Sequence, residues 1–365
     1  MSTGAGNTVK RRVTPVTGVR SPLSVCRMRV ESSVTSLSWI PSEAVSGPMK
    51  AGFATGLAHY DDPPPGHLAG GQVDAMLEAD AFRFGNVLSG WAEFEGDRVV
   101  AHGQGGGLLI GSTTVRVGPL DATFPAVGMP ELTYAPQIED GVISWIQTVG
   151  GRTSVPLPRK VSRPPYLRLT APLVWTTLRL TLHANGTVRR ELVGGSPFPR
   201  HWVYDAAGDL VLKAGVADWR QWLGQPSWAA TPWGEEDSPV VSAAAETALE
   251  RELSGLLMHG AHKPKIRKLD RGAVLARQGD AGDSLFLVLD GVLEVTVDGH
   301  HVGNLGPGAV VGEHAVLESS PRTATLTAST PVKVAEAPAA AVDRAALTEL
   351  AAGHRRELAQ GSSSP

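Results

Sequence analysis

The stretch Val311-Gly-Glu-His-Ala-Val-Leu-Glu-Ser-Ser-Pro-Arg-Thr-Ala324 has the composition of a pocket for a sugar that bears a phosphate. Gly312 has no side chain, so a ligand can approach the backbone closely at this point. Glu313 supplies a carboxylate that can accept hydrogen bonds from a ribose hydroxyl. The segment from His314 to Leu317 can form one helical turn, whose free N–H groups and dipole favour an anion.

Three residues at the end of the stretch complete this predicted pocket. Arg322 can hold a phosphate through two parallel charge-assisted hydrogen bonds, a geometry that lysine cannot match. Thr323 adds a hydroxyl group, and Ala324 is small enough to leave room for a ligand.

The order G-E-x-A-x-L at 312–317 followed by R-T-A at 322–324 resembles the phosphate-binding cassette of cyclic nucleotide-binding domains. The separation of nine positions between Glu313 and Arg322 is similar to that of the kinase regulatory subunits. The segment 272–291 resembles the first hairpins of the family, and 331–334 resembles the strand after the cassette. This resemblance covers roughly residues 250–350, and several spaced elements agree.

The resemblance implies a jelly-roll-like β-roll with flanking helices that binds cAMP or cGMP and needs no cofactor. The implied ligand contacts are Gly312, Glu313, His314, Ala315, Arg322, Thr323 and Ala324. A cyclic-nucleotide fold with a dead pocket is the alternative. Such folds usually lose the Glu or the Arg, and both are present here. A threonine at the position of Thr323 helps cGMP in the family, yet channels with it respond to cAMP, which we favour as the commoner bacterial messenger.

Further roles follow from the same resemblance. Asp283 corresponds to a residue that orients the phosphate-binding arginine from behind, although it could equally be a plain turn residue. Val295 and Val297 could pack on the base or belong to the core. Family members close a C-terminal helix over the base, whereas the helix predicted at 341–358 is Ala-rich and has no aromatic residue to stack on the ring.

Composition limits the remaining possibilities. The chain has 365 residues and 42% hydrophobic residues, enough for two domains with real cores. Net charge is −3, which gives no overall footprint for nucleic acid or an anionic membrane, and no helix-turn-helix follows the cassette. The single Cys26 excludes an internal disulfide, which predicts a cytoplasmic location. No apolar run reaches the about 18 residues of a membrane span.

The distribution of tryptophan divides the chain, because all nine lie between Trp39 and Trp233. We predict a mainly β protein with an antiparallel β-barrel or sandwich before the β-roll. The predicted units are a disordered basic tail (1–30), a β-rich domain of unknown function (31–236), a connecting helix (237–260), the cyclic nucleotide-binding domain (261–358) and a tail (359–365). Whether Met1 or Met28 is the true start stays open.

Alternation defines the strands of the N-terminal domain. Leu178, Leu180 and Leu182 alternate with polar residues, which is typical of a half-buried strand. Asn185-Gly186 then predicts a type I′ hairpin. Gly103-Gln-Gly-Gly-Gly107 lacks the Lys-Ser/Thr of a phosphate loop, so a hairpin turn between two strands is the favoured interpretation.

No spacing of residues in the N-terminal domain anchors a catalytic or metal site. Its histidines are scattered without an HxH or HExxH pattern, and no G-x-S-x-G elbow is present. We therefore expect a binding or effector domain for a small apolar ligand or a protein partner, controlled by the nucleotide domain. A nucleotide-regulated enzyme with its site in 31–236, and a ligand carrier with a degenerate nucleotide pocket, are the alternatives. A homodimer stays open.

Overall fold

A computed structural model of the protein shows two β-rich units joined by a helix. The residues that the structure describes are 27–47, 50–51, 62–79, 81–117, 120–153, 156–160, 167–224, 231–233, 242–245, 248–259, 263–338, 344–345 and 347–352. The predicted tail at 359–365 lies outside these residues, as do 1–26.

The first unit is built mostly from long antiparallel strands. Its elements are β1 (Arg27–Trp39), a 3-10 helix (Ser42–Ala44), α1 (Gln72–Glu78), β2 (Phe84–Glu95), β3 (Arg98–Ile110), β4 (Thr113–Val117), β5 (Leu120–Phe124), β6 (Val127–Gly128), β7 (Leu132–Thr133), β8 (Gln137–Glu139), β9 (Val142–Arg152), β10 (Leu157–Lys160), β11 (Leu167–Thr170), β12 (Leu173–His183), β13 (Val188–Gly195), β14 (Arg200–Tyr204), β15 (Leu210–Ala214), α2 (Trp219–Gly224) and β16 (Ser242–Ala244).

These strands form a β-sandwich, one of the two predicted architectures. One sheet has the order β16-β15-β14-β1-β2-β3, and the other has β13-β12-β9-β6 with β7 and β8 also paired to β9. Apolar side chains from both sheets meet in one buried cluster, which includes Val34, Leu88, Trp145 and Leu180. Their removal from water supplies the main stabilisation of this unit.

A buried polar layer crosses the interior of the sandwich. The Asn86 amide donates to the Thr176 carbonyl oxygen at 3.1 Å, and the Gln147 amide donates to Asn86 Oδ1 at 2.9 Å. All three side chains are buried. Because each amide is hydrogen-bonded, the layer fixes the position of one sheet on the other without leaving these groups unsatisfied.

The second unit is a β-roll with helices on its outer surface. Its elements are α3 (Ala248–His259), β17 (Lys265–Leu269), β18 (Val274–Ala276), β19 (Ser284–Asp290), β20 (Leu293–Val297), β21 (His300–Leu305), β22 (Val310–Val311), α4 (Glu313–Glu318), β23 (Thr325–Ala328) and β24 (Val332–Pro338), followed by helical residues 344–345 and 347–352.

Two four-stranded sheets make up the roll, with the orders β17-β24-β19-β22 and β18-β23-β20-β21. Phe286, Val288, Leu293 and Leu326 are buried between them. Helix α3 covers the outer side of the first sheet through Leu253 and Leu257. The predicted mainly β fold with a C-terminal β-roll is therefore confirmed.

Four sequence predictions need correction. The first concerns the tail at 1–30: strand β1 begins at Arg27 and pairs with β2 from the Arg27–Glu95 pair onward. The second concerns the connecting helix at 237–260. Residues 242–244 form strand β16, because they pair with β15 and complete the first sheet, and the helix begins only at Ala248.

The third correction concerns the glycine run. Residues 103–107 do not form a hairpin turn but lie inside β3, where they pair continuously with β2. The fourth concerns the turn after β12. The hairpin is present, but only Gly186 has a positive φ (85°), so the loop is a type I turn followed by a left-handed glycine.

Candidate nucleotide site

Gly312 is the point at which the cassette turns from β22 into α4. It caps the helix with a φ of 99°, in the left-handed region that favours glycine. A Cβ at this position would overlap Arg322 Nη1 and lie 2.9 Å from the Ser284 carbonyl oxygen. Only a residue without a side chain therefore allows the arginine to reach the backbone here.

Arg322 is the central cation of the site. It is 8% exposed, and its Nη2 donates to Ser284 Oγ at 3.2 Å. Its Nη1 donates to the Gly312 carbonyl oxygen at 3.5 Å, a long hydrogen bond. The guanidinium carbon lies 5.0 Å from the centroid of the Phe286 ring, within the range of a cation–π contact. Strand β19 therefore positions the Arg322 guanidinium through Ser284 and Phe286.

The backbone around Arg322 is held as firmly as its side chain. Its N–H donates to the Asp280 carbonyl oxygen at 2.7 Å, and its carbonyl accepts from the N–H of Gly279 at 2.8 Å. A Cβ on Gly282 would overlap the guanidinium, so this glycine also makes room for the arginine. The loop 279–283 thus holds the backbone of Arg322 and also makes room for its side chain.

Several charges act on the arginine. Burial lowers the pKa of Arg322, and the carboxylates of Asp283, Glu336 and Glu313 oppose that shift in this order. The group stays charged because an arginine side chain has a pKa above about 12 in water. Arg322 is thus a buried cation that three carboxylates influence, and an incoming phosphate would also meet their charges.

Glu313 is buried, with only 4% of its surface exposed, in the first turn of α4. His314 follows it, and the two side chains approach to 3.6 Å between Nε2 and Oε1. Ala315 is buried beside them. The structure thus places Gly312 against Arg322, and it buries Glu313 and Ala315 in the helix that Gly312 caps.

The other predicted contacts are placed differently. Thr323 is exposed and Ala324 is half-buried, directly after the arginine. Asp283 is exposed and acts on Arg322 through its charge, whereas the hydrogen bonds of the guanidinium go to Ser284 and Gly312. Val295 packs against the core of the roll, which agrees with the core alternative for that residue, and Val297 is half-buried. Their roles toward a ligand stay predictions.

Two residues that the sequence interpretation missed are Ser284 and Phe286. They occupy alternate positions of β19 and both face Arg322. The only sequence signal is their position, because Ser284 directly follows the predicted Asp283 and Phe286 lies two residues further along the strand. A serine or a phenylalanine in a strand does not by itself indicate an anion site, so the three-dimensional contacts with Arg322 are needed to recognise these two residues.

In the sandwich, the feature closest to a catalytic arrangement is a serine–histidine pair. Ser38 Oγ lies 2.7 Å from His201 Nδ1, and His201 Nε2 lies 2.9 Å from the Ser196 carbonyl oxygen. His201 is completely buried, and desolvation lowers its pKa to about 4. The ring is therefore neutral, and it links β14 to Ser38 of β1 in the interior of the sandwich.

This histidine gives the sandwich a dependence on pH. The pKa of His201 is lower in the folded chain than in the unfolded chain, so its contribution to stability is complete above about pH 6.5. That contribution is lost as the pH falls from 6.5 toward 4, by up to about 3 kcal/mol. We expect urea unfolding, followed by tryptophan fluorescence at pH 7.5 and 5.0, to show this loss.

Two variants serve as controls for the pH measurement. The variant His201→Gln cannot take up the proton and should show a smaller loss of stability between the two pH values. The exposed His102 lies in the same unit, and His102→Gln should behave as the parent does. An equal loss in the His201 variant would show that other groups govern the acid sensitivity.

A shallow surface depression of about 440 Å³ lies on the sandwich. It is lined by His102, Gly103, Gln104, Thr133, Tyr134, Ala135, Pro136 and Trp145. Within the described parts of the chain, no group of three or more His, Cys, Asp or Glu side chains could hold a metal ion. The helices described there are also too short or too polar to cross a membrane.

Comparisons with known proteins agree with the geometry of the second unit. The family model described as "Cyclic nucleotide-binding domain" matches residues 266–349. A "cAMP-dependent protein kinase regulatory subunit" of Yarrowia lipolytica is 40% identical over 65 residues, 18% of this chain and 17% of the relative. A "cyclic nucleotide-gated potassium channel" of Rhizobium etli is 38% identical over 146 residues, 38% of this chain and 40% of the relative.

Among solved structures, "PKAR CBD2" with bound Sp-2Cl-cAMPS matches 32% of this chain and 95% of its own, at 20% identity and a TM-score of 0.26. The chain spans less than half the length of the two curated relatives. The family model lies entirely within the second unit. Residues 266–349 are therefore a cyclic nucleotide-binding domain, homologous to those of kinase regulatory subunits and nucleotide-gated channels.

Proposed function

We propose that the protein is a cyclic-nucleotide sensor in which cAMP binds to the β-roll and regulates the N-terminal sandwich. The observation that carries the proposal is the position of Gly312 against Arg322 and of Glu313 within reach of its charge, with the arginine buried and held by β19. In this proposal Arg322 neutralises the phosphate, the first turn of α4 offers its N–H groups, and Glu313 accepts from the ribose.

The choice between cAMP and cGMP is a separate part of the proposal. We place cAMP before cGMP because the kinase subunit reported above is named for cAMP. The exposed Thr323 keeps a hydroxyl at the mouth of the site, where it could contact a guanine. Calorimetric titration with each nucleotide measures the preference directly. Binding of neither would contradict the proposal.

Two helical segments touch the cassette and could carry a response. On α3, the Glu250 carboxylate accepts from the N–H of Val310 at 3.3 Å, just before Gly312. From the C-terminal helical residues, Arg344 donates to the Leu317 carbonyl oxygen at 2.6 Å. Because both helices contact the strand or helix that flanks the pocket, a ligand that favours one arrangement of the cassette would shift them.

We expect Glu313→Gln to weaken cAMP binding about tenfold, since a neutral amide makes weaker hydrogen bonds with the ribose than a carboxylate does. Isothermal calorimetry on the full chain measures the change. Glu318→Gln is the matched control, because Glu318 lies on the same helix but is exposed. Equal affinities of the two variants would remove Glu313 from the site.

We also propose that the sandwich binds a partner and is not an enzyme, and that the pocket needs no cofactor. The serine–histidine pair of the sandwich is buried away from solvent. The surface depression of the sandwich combines aromatic and polar groups suited to a small ligand or a peptide. A co-purified molecule found by native mass spectrometry would support this role. Turnover of acyl or phosphoryl substrates by the full chain would favour the enzyme alternative. A cytoplasmic location and a homodimer stay predictions.

A further inference from the structure

A junction of named contacts joins the two units at the end of strand β19. Arg200 Nη2, in the sandwich, lies 3.2 Å from Asp290 Oδ1, in the β-roll. The same carboxylate oxygen accepts from the N–H of Ala217 at 3.3 Å. Next to it, the N–H of Gly291 donates to the Gly215 carbonyl oxygen at 2.6 Å. The β19–β20 turn is thus bonded to the sandwich through both side chain and backbone.

Arg200 is the buried charge at this junction, whereas the Asp290 side chain is 33% exposed. The Arg200 side chain is 7% exposed and also contacts Glu43 at 3.4 Å. Burial raises the pKa of Asp290, and the neighbouring Arg200 counteracts that rise. Removal of the Asp290 charge leaves the buried Arg200 poorly compensated, which weakens the contact.

Strand β19 connects this junction to the nucleotide pocket without a break. Ser284 and Phe286 at one end contact the Arg322 guanidinium, and Asp290 is the last residue at the other end. Six residue steps of strand correspond to about 20 Å. The nucleotide site and the sandwich therefore share strand β19, whose pairing with β24 has an irregularity between Val288 and Asp290.

A second connection runs through α3. Glu250 holds Val310 next to the cassette, and the following Arg251 reaches the sandwich side of the molecule. There, a Cβ on Gly66 would lie 2.6 Å from Arg251 Nη1, and Gly66 itself accepts from the N–H of Leu210 on β15. The two connections reach neighbouring strands of one sandwich sheet, β14 at Arg200 and β15 at Leu210.

We propose that the Asp290–Arg200 junction is the coupling contact through which occupancy of the nucleotide pocket is transmitted to the sandwich. The inference rests on the proposed function, since it needs a nucleotide that binds at Arg322. The inference extends the proposed function by naming the contact through which the two units would communicate. If the junction joins the two units into one cooperative structure, a ligand of the roll stabilises the sandwich as well.

The distribution of tryptophan makes this measurable. All nine tryptophans lie between residues 39 and 233, so fluorescence reports on unfolding of the N-terminal part of the chain alone. In the parent, cAMP at about 100 times its dissociation constant should raise the fluorescence-monitored melting temperature by about 5 °C. In Asp290→Asn that shift should fall below about 1 °C, while calorimetry still detects cAMP binding.

Asp270→Asn is the matched control, because Asp270 is an exposed aspartate of the same β-roll and should keep the full shift. An undiminished shift in Asp290→Asn, with normal binding heat, would overturn the coupling inference and leave the proposed function intact. Absence of binding heat in the parent would overturn both.

Should Asp290→Asn fail to fold, the parent itself supplies the test. Hydrogen exchange with and without cAMP follows the amides of Ala217 and Gly291, which donate across the junction. Slower exchange of both amides with cAMP is the expected result. Unchanged exchange at these two amides, under conditions in which cAMP slows exchange in the cassette, would contradict the coupling.

Discussion

Arg322→Ala is expected to weaken the binding of cAMP about 100-fold or more. The guanidinium is the buried cation of the proposed phosphate site, and a bidentate contact with an anion is among the strongest hydrogen-bonded pairs. Its loss has a second consequence. Asp283, Glu336 and Glu313, whose charges act on the arginine, would remain and repel the phosphate.

Calorimetry on the full chain tests this expectation, with Arg277→Ala as the control. Arg277 is an exposed arginine of the same β-roll, so its removal changes net charge equally without touching the pocket. Arg322→Lys should fall between the parent and the alanine variant, because lysine keeps the charge but not the planar fork. Equal affinity of the Arg322→Ala and Arg277→Ala variants would exclude the pocket assignment.

Gly106→Ala is expected to destabilise the sandwich by about 3 kcal/mol or more. Gly106 lies within β3 at a φ of 111°, which an L side chain rarely adopts. A Cβ there would overlap the Val87 carbonyl oxygen of the neighbouring strand. Neither the backbone of β2 nor that of β3 can move aside without breaking the ladder between them.

Urea unfolding followed by tryptophan fluorescence measures this change. Gly105→Ala is the control, because Gly105 has no positive φ and its Cβ would meet only Ser89 Oγ, at 3.1 Å. A serine side chain can rotate away, so we expect a loss of less than about 1 kcal/mol. Similar stabilities of the two variants would show that the strand relaxes around position 106.

The β-roll is predictable from the sequence because its turns and strands are marked by residues that lie close together in the chain. Glycines and short apolar runs mark its hairpins, and the separation of nine positions between Glu313 and Arg322 can be seen in the sequence itself. In the sandwich, by contrast, the glycine run at 103–107 misleadingly indicates a turn where the structure has a strand. Five consecutive positions with almost no side chains show no alternation, so the pairing of β3 with β2 is decided by the neighbouring strand and not by the run itself.

The connecting segment was misjudged for a related reason. Residues 242–244 are Ser-Ala-Ala, which have fair helix propensity, yet they pair with β15 as an additional edge strand. Tertiary pairing outweighs a weak local preference. In the site, Ser284 and Phe286 were missed because their significance lies only in their distance from Arg322, which no spacing along the chain expresses.

The polar layer of Asn86, Gln147 and Thr176 also bears on how the sandwich avoids misassembly. A strand that slipped by one residue, or was exchanged with a second chain out of alignment, would bury these amides without partners. Aliphatic residues at the same places would tolerate such errors much better. The layer therefore penalises slipped and domain-swapped forms, and substituting it with leucines should favour aggregation even where the folded monomer survives.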